Sequence, residues 1–230
     1  MRNPPDSLMI FAAGFGTRMG ALTSARPKPL VRVAGRALID HALDVAAPIA
    51  PEVIVVNTHY RADQMQAHLA GRGVVISHET PEILESGGGL RQALPLLGDG
   101  PVMTLNSDVV WDRANPLTLL RQAWDPAQMD ALLLCVEPEN AIGRRGGGDF
   151  SCGPDGRLAR GGPVIYTGAQ IIATGSLAGV DQPVFSLNLI WDQMIAAGRL
   201  FGLTYPGRWC DVGTPEGIAL AEAMIAAADV

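Results

Sequence analysis

The run Gly14-Phe15-Gly16-Thr17-Arg18-Met19 directly follows an apolar stretch, Leu8–Ala13, that reads as a strand. Glycines at a strand's exit let backbone come close to a ligand, so that main-chain N–H groups can cradle anionic oxygens; a plain tight turn uses the same residues. A dinucleotide fingerprint wants a third glycine where Met19 stands, and no Gly-Lys-Ser/Thr follows to make a Walker loop. Charge distribution favours an anion. From Ser7 to Ile39 the chain carries Arg18, Arg26, Lys28, Arg32 and Arg36 and no acidic residue, in a protein of net charge −6. Lys28 is also the only lysine among 17 basic residues. An ammonium on a flexible stem is a point charge that a planar guanidinium does not reproduce, so this lysine points to a chemical task; a solvated surface lysine is the plain alternative. Pro27 and Pro29 are expected to hold the segment extended and aim the side chain.

Two aspartates, Asp108 and Asp211, stand beside turn signals. Asp108 lies just beyond the apolar run Val102–Asn106, the place where an open α/β sheet presents its ligands; a turn or helix-capping aspartate is equally at home there. Asp211 precedes Thr214-Pro215-Glu216, which reads as an N-cap, a proline at the first helical position and an early acid. It too reads as a turn residue. The histidines His41, His59, His68 and His78 form no pattern of spacing that suggests acid–base work.

The elements that must position these groups follow from periodicity. Leu8–Ala13, Val53–Asn57, Val74–Ser77, Val102–Asn106 and Ala131–Val136 are short apolar runs bounded by turn residues, separated by amphipathic stretches such as Ala37–Ala47 and Asp63–Leu69. That alternation implies βαβ units, an α/β fold and a mainly parallel sheet flanked by helices. From Gly143 to Gly162 the pattern changes to Gly- and Arg-rich, with turn signals at Gly153-Pro154-Asp155-Gly156, and an inserted β-hairpin region is expected. An Ala-rich C-terminal helix closes the domain. No internal repeat is present.

Composition bounds the rest. At 230 residues, 48% of them hydrophobic, the chain is expected to form one globular domain. Its acidic balance argues against general nucleic-acid binding, which needs a basic footprint. Leu8–Ala13 is too short to span a bilayer and no leader is evident, so no membrane partner and a cytoplasmic location are expected. Cys135, Cys152 and Cys210 lack Cys-x-x-Cys spacing and suggest neither disulfides nor zinc. Nothing in the residues fixes an oligomeric state.

Ala12-Ala13-Gly14-Phe15-Gly16-Thr17-Arg18-Met19 followed by Pro27-Lys28-Pro29-Leu30 resembles the signature of the sugar-1-phosphate nucleotidyltransferases, in order and in spacing. The resemblance continues through Glu85-Ser86-Gly87-Gly88-Gly89, Asn106-Ser107-Asp108 and Trp209-Cys210-Asp211-Val212-Gly213-Thr214-Pro215-Glu216, and so spans nearly the whole chain. It implies a Rossmann-like nucleotidyltransferase fold with a mixed, mainly parallel sheet and a small β-rich insertion. The first 110 residues would serve mainly the nucleotide, and residues 140–212 mainly the sugar phosphate. Ala12, Ala13, Gly14, Gly16 and Thr17 would hold the triphosphate, with Arg18 and Lys28 as the catalytic cations. Glu85, Gly87 and Gly88 would read the base, although a ligand-free loop fits the same glycines. Asn106, Gly148, Asp149, Thr167 and Gly168 would meet the sugar phosphate. Asp108 and Asp211 would bind Mg2+, which takes one or two carboxylates and completes its shell with water and phosphate oxygens.

Within that family the short length, the triple glycine, Gly148-Asp149-Phe150 and the Trp-x-Asp-Val-Gly-Thr ending resemble members that use UTP and a cell-wall sugar 1-phosphate in recycling. A sugar with an added carboxylate would need a cation; Arg144, Arg145 and Arg208 are the candidates. Gly20-Ala21 and Ser107 depart from the usual Arg-Pro and glycine. Another sugar or nucleotide within the family, a non-catalytic sugar-nucleotide-binding regulator, and a dinucleotide-dependent oxidoreductase are the alternatives. The regulator would be expected to have lost Lys28 or an aspartate, and all three are present.

Overall fold

A computed structural model describes residues 5–228. Seven strands form the central sheet: β1 (Ser7–Phe11), β2 (Val53–Thr58), β3 (Val74–His78), β4 (Val102–Asn106), β5 (Ala131–Val136), β6 (Ile165–Ile172) and β7 (Leu200–Thr204). Their spatial order is β7-β5-β6-β4-β1-β2-β3. Only β6 runs antiparallel to its neighbours, β4 and β5, so the sheet is mixed and mainly parallel. The helices are α1 (Leu38–Ala46), α2 (Ala62–Leu69), α3 (Glu85–Leu97), α4 (Pro116–Ala123), α5 (Leu187–Ala196) and α6 (Pro215–Ala228).

Strand periodicity sends alternate residues to opposite cores. Leu8, Ile10, Val56, Met103, Leu105, Leu132 and Leu134 meet α1, α2 and α4 on one face. Met9, Val55, Val102, Leu133 and Cys135 meet α3 and α5 on the other. Both faces are covered, which is why these strands read as continuous apolar runs. Helix starts are locally encoded. Asn115 Oδ1 accepts from Thr118 N–H at 3.0 Å ahead of Pro116, and Ser186 Oγ accepts from Asn188 N–H at 3.2 Å.

The chain leaves β1 toward β2 and β3, then returns through α3 to place β4 on the other side of β1. The strand order therefore reverses between β1 and β4, and the crevice at their carboxyl ends is where such sheets bind ligands. The last residues of these strands, Phe11 and Asn106, are direct register partners. Ser107 ties them together: its N–H and its hydroxyl both donate to the Phe11 carbonyl, at 3.2 and 2.7 Å.

Above this crevice a three-stranded sheet sets Trp209–Asp211 between Val109–Trp111 and Ala141–Ile142, packed against α6. The expected insertion is a two-stranded antiparallel ribbon, Phe150–Cys152 with Leu158–Arg160, turning at the Gly-Pro-Asp-Gly signal. No helix of the described residues is long and apolar enough to cross a membrane. The three cysteines are free thiols.

Candidate active site

Lys28 and Asp108 meet at the carboxyl end of β4. Pro27 is extended, but Lys28 itself opens a short 3-10 turn through Leu30, where an extended run was expected. The turn drives the lysine inward. It is 7% exposed, and its Nζ donates to Asp108 Oδ2 at 2.5 Å. A buried ammonium persists only with such a partner. Gly16 closes the loop over the lysine: its φ is +64°, and a Cβ there would stand 2.7 Å from Lys28 Cβ. Thr23 Oγ1 donates back to the Gly16 carbonyl at 3.0 Å, holding the loop shut. Gly20, where the family pattern has arginine, adopts φ +57°, ψ −128°, a conformation suited to glycine.

Asp211 is brought to the same place by the small upper sheet. It pairs in register with Val109, and Val212 N–H donates to the Asp108 carbonyl at 2.9 Å. Burial pushes the Asp211 carboxyl above the usual carboxylate range and neighbouring Asp108 pushes it further, while Lys28, Arg18 and Arg144 pull it back. A Cβ at Gly213 would lie 3.0 Å from both Arg18 Nη1 and Asp211 Oδ1, so a larger residue there would press on both groups. No three His, Cys, Asp or Glu side chains cluster as a metal cage among the described residues. Two hard carboxylates in mutual repulsion are instead a donor set suited to a divalent cation that keeps water and phosphate oxygens.

Two cavities adjoin at this point. The first, about 250 Å³, is walled by Ala12, Ala13, Gly14, Lys28 and Pro29 on one side and by Asn57, Glu79, Ile83, Glu85 and Ser86 on the other. The second, about 330 Å³, is walled by Arg18, Arg144, Asp149, Tyr166, Gly168, Asn188, Trp191 and Asp211 among others. Phe11, Ser86, Asn106 and Asp108 belong to both. The junction carries the carboxylate that Lys28 grips.

Several expected contacts sit behind the walls. Gly87 and Gly88 are buried within the first turn of α3 rather than in a loop, and both their N–H groups donate to the Phe185 carbonyl. Added Cβ atoms there would strike the Phe185 ring at 2.4 Å and the Pro183 carbonyl at 2.4 Å. Thr167 is buried and its hydroxyl donates to the Leu134 carbonyl at 2.8 Å. Gly148 is pressed against Gly162 and Pro163. Gly16 and Thr17 lie on the loop and line neither cavity. Gly168, at φ +85°, sits in a register shift of β6 and lets the Asn106 side chain approach, since a Cβ would stand 2.7 Å from it. Asp149 accepts from Arg144 Nη2 at 2.8 Å and from Tyr166 N–H at 3.0 Å. Of the three arginines expected for a carboxylate, only Arg144 lines the second cavity. Arg145 reaches Glu216 at 3.6 Å and Arg208 is held by Asp112 at 2.6 Å.

Sequence reading missed a buried network that fixes the first cavity. Ala12 N–H donates to Asn57 Oδ1 at 2.7 Å, Asn57 Nδ2 donates to Glu79 Oε1 at 2.6 Å, and Leu84 N–H donates to Glu79 Oε2 at 2.8 Å. The β1 exit and the start of α3 are thereby locked to one carboxylate. Polar residues at the ends of two neighbouring strands were the available signal. Arg160, whose guanidinium lies 4.9 Å over Phe150 and 5.8 Å over Trp191, was missed as well; the ribbon's register sets it opposite Phe150, and Trp191 comes from α5.

The family model described as the MobA-like NTP transferase domain matches residues 8–192. An N-acetylmuramate alpha-1-phosphate uridylyltransferase from Caulobacter vibrioides is 41% identical over 99% of this chain and 100% of its own length. One of the same description from Neisseria meningitidis serogroup B is 32% identical over 95% and 98%. The solved inositol-1-phosphate CTP transferase of T. maritima superimposes with TM-score 0.78 over 97% of this chain and 98% of that one, at 14% identity, a likeness of fold alone.

Proposed function

The chain belongs to the MobA-like NTP transferase domain family, and on that premise we propose that it transfers UMP from UTP to N-acetylmuramic acid α-1-phosphate and releases pyrophosphate. The observation that carries this reading is the pair of cavities that share Asp108, with Lys28, Arg18 and Asp211 around the junction. The choice of base and sugar rests on the near full-length relatives.

The nucleotide occupies the first cavity, its base toward Glu85 and its phosphates toward Gly14 and Lys28. The sugar phosphate occupies the second, near Asn106, Asp149 and Gly168. An oxygen of the sugar phosphate attacks the α-phosphorus in line, a new P–O bond forms, and the bond to the departing pyrophosphate breaks. The attacking phosphate is already ionised at neutral pH, so no strong general base is needed. Lys28 and Arg18 neutralise charge on the reacting and departing phosphates, the kind of preorganised electrostatics that dominates phosphoryl and nucleotidyl transfer. Asp108 and Asp211 would hold Mg2+, which when bound supplies further charge neutralisation on the triphosphate. Besides Arg18, the second cavity's wall carries Arg144 and Arg160, each braced by an aspartate, Asp149 and Asp192, as the cations to meet a carboxylate-bearing sugar.

A pyrophosphate-release assay across the four common nucleoside triphosphates, with N-acetylmuramic acid α-1-phosphate as acceptor, tests this. UTP should give the highest turnover. Release from a different triphosphate at ten times the UTP rate would overturn the base assignment.

A further inference from the structure

The basic cluster between Ser7 and Ile39 divides in the fold. Arg18 and Lys28 go to the cleft, whereas Arg26, Arg32 and Arg36 line a separate groove of about 390 Å³. Its far wall is Asp40 of α1 with Gln64 and His68 of α2. No residue of this groove lines either cavity of the cleft.

The charges of the groove are unevenly matched. Asp40 is the one carboxylate on the wall, and His68 Nε2 and Arg72 Nη1 both stand 2.7 Å from its Oδ1. Arg36 is paired with Asp44. Arg32 reaches only the Gly35 carbonyl, at 3.4 Å, and Arg26 has no hydrogen-bond or ion-pair partner among the described residues. Two guanidinium groups thus face one groove with no carboxylate paired to either of them, in a chain whose net charge is −6. Like charges held together repel, and a multiply charged oxyanion removes that repulsion while filling both forks with charge-assisted hydrogen bonds. The groove's backbone is also held in place: Gln64 Nε2 donates to the Ala25 carbonyl at 3.0 Å, and Arg61 Nη2 to the Ser24 carbonyl at 2.6 Å. Arg26 is therefore carried on a clamped segment, two residues ahead of Lys28.

We propose that this groove is a second anion site, separate from the cleft, that takes a polyphosphate group through Arg26 and Arg32. The shared chemistry is a di- or triphosphate, free or borne by a nucleotide.

Calorimetric titration of the full chain with inorganic pyrophosphate, in the absence of divalent cation, tests it. The Arg26→Gln/Arg32→Gln double variant should bind one equivalent fewer than the unsubstituted protein, whatever the cleft itself binds, so the result is independent of the proposed reaction. Both side chains are exposed and neither holds a structural ion pair, so thermal melts of the variant should match the parent. The single variant Arg26→Gln, at a side chain without a partner, should weaken the same equivalent at least threefold. A parallel titration with UTP distinguishes the sources: an equivalent lost for both ligands marks a site for the polyphosphate tail, and one lost for pyrophosphate alone marks a site for the free diphosphate. Unchanged stoichiometry and affinity for both ligands in the double variant would overturn the proposal.

Discussion

Lys28 and Asp108 lie eighty positions apart in the chain, yet the lysine's Nζ donates to the aspartate's Oδ2 at 2.5 Å in a pocket that leaves the lysine 7% exposed. The pair joins the loop after β1 to the end of β4, the two strands between which the sheet order reverses. Geometry of this kind fixes a positive point charge at the junction of the two cavities.

Lys28→Ala should lower kcat by about 10²- to 10³-fold, the range for removal of one preorganised electrostatic group. Lys28→Arg should not restore it. The lysine is 7% exposed with its Nζ 2.5 Å from Asp108 Oδ2, and a planar fork does not reproduce a buried point charge there. Steady-state turnover of the two variants checks this, and wild-type turnover in Lys28→Arg would contradict it.

Asp108 and Asp211 should act as a unit on a divalent cation. Magnesium titrations of Asp108→Asn, Asp211→Asn and the double variant should show near-complete loss in each single variant and little further loss in the pair, the non-additivity of groups that share one ligand. Multiplicative losses would separate the two aspartates, and near-normal magnesium dependence in either single variant would remove that residue from the site.

The Asp211 carboxyl is raised in the folded protein by burial and by Asp108. An acid with a raised folded value contributes stability that is complete at low pH and is lost as pH rises through that value. In metal-free protein at pH 7, Asp211→Asn should therefore melt a few degrees higher than the parent, and the difference should vanish below the ordinary carboxylate range. Differential scanning calorimetry over pH reads both. An equal or lower melting temperature at pH 7 would show that Asp211 is not strained by its surroundings.

Gly89→Ala would place a Cβ 2.5 Å from Glu79 Oε1 and 3.0 Å from Asn57 Nδ2. Glu79 is fully buried, so the network has no room to give. Destabilisation of about 1 to 3 kcal/mol is expected from overpacking at this site, measured by urea unfolding, with a rise in nucleotide KM because Ala12 and Leu84, which flank the first cavity's wall, lose their common anchor. Unchanged stability would mean that the Asn57–Glu79 pair yields freely.

Much of this arrangement was legible in the chain. Four of the five runs from Leu8 to Val136 were visible because strands covered on both faces carry apolar residues, the edge strand β3 kept an apolar run although Val75 is exposed, and Pro215 with its preceding threonine marked α6. The antiparallel β6 was not, because Thr167, Gly168 and Gln170 break its apolar run where it bulges beside Asn106. Nor was the true place of Gly87–Gly89. A glycine run reads as a loop, but here each missing side chain is a packing surface for Phe185, Pro183 or Glu79, contacts made by residues that lie nearby only after folding. Arg26, Arg32 and Arg36 read as one cluster with Arg18 and Lys28, and only the fold sends them to a different groove.

The most direct test of the proposed reaction is the ratio of kcat/KM for N-acetylmuramic acid α-1-phosphate to that for glucose 1-phosphate, with UTP and Mg2+ in excess and pyrophosphate release as the readout. Arg144 and Arg160 on the wall of the second cavity should favour the carboxylate-bearing sugar by at least tenfold. A tenfold preference for glucose 1-phosphate would contradict the sugar assignment, and no pyrophosphate release with either acceptor would contradict the reaction itself.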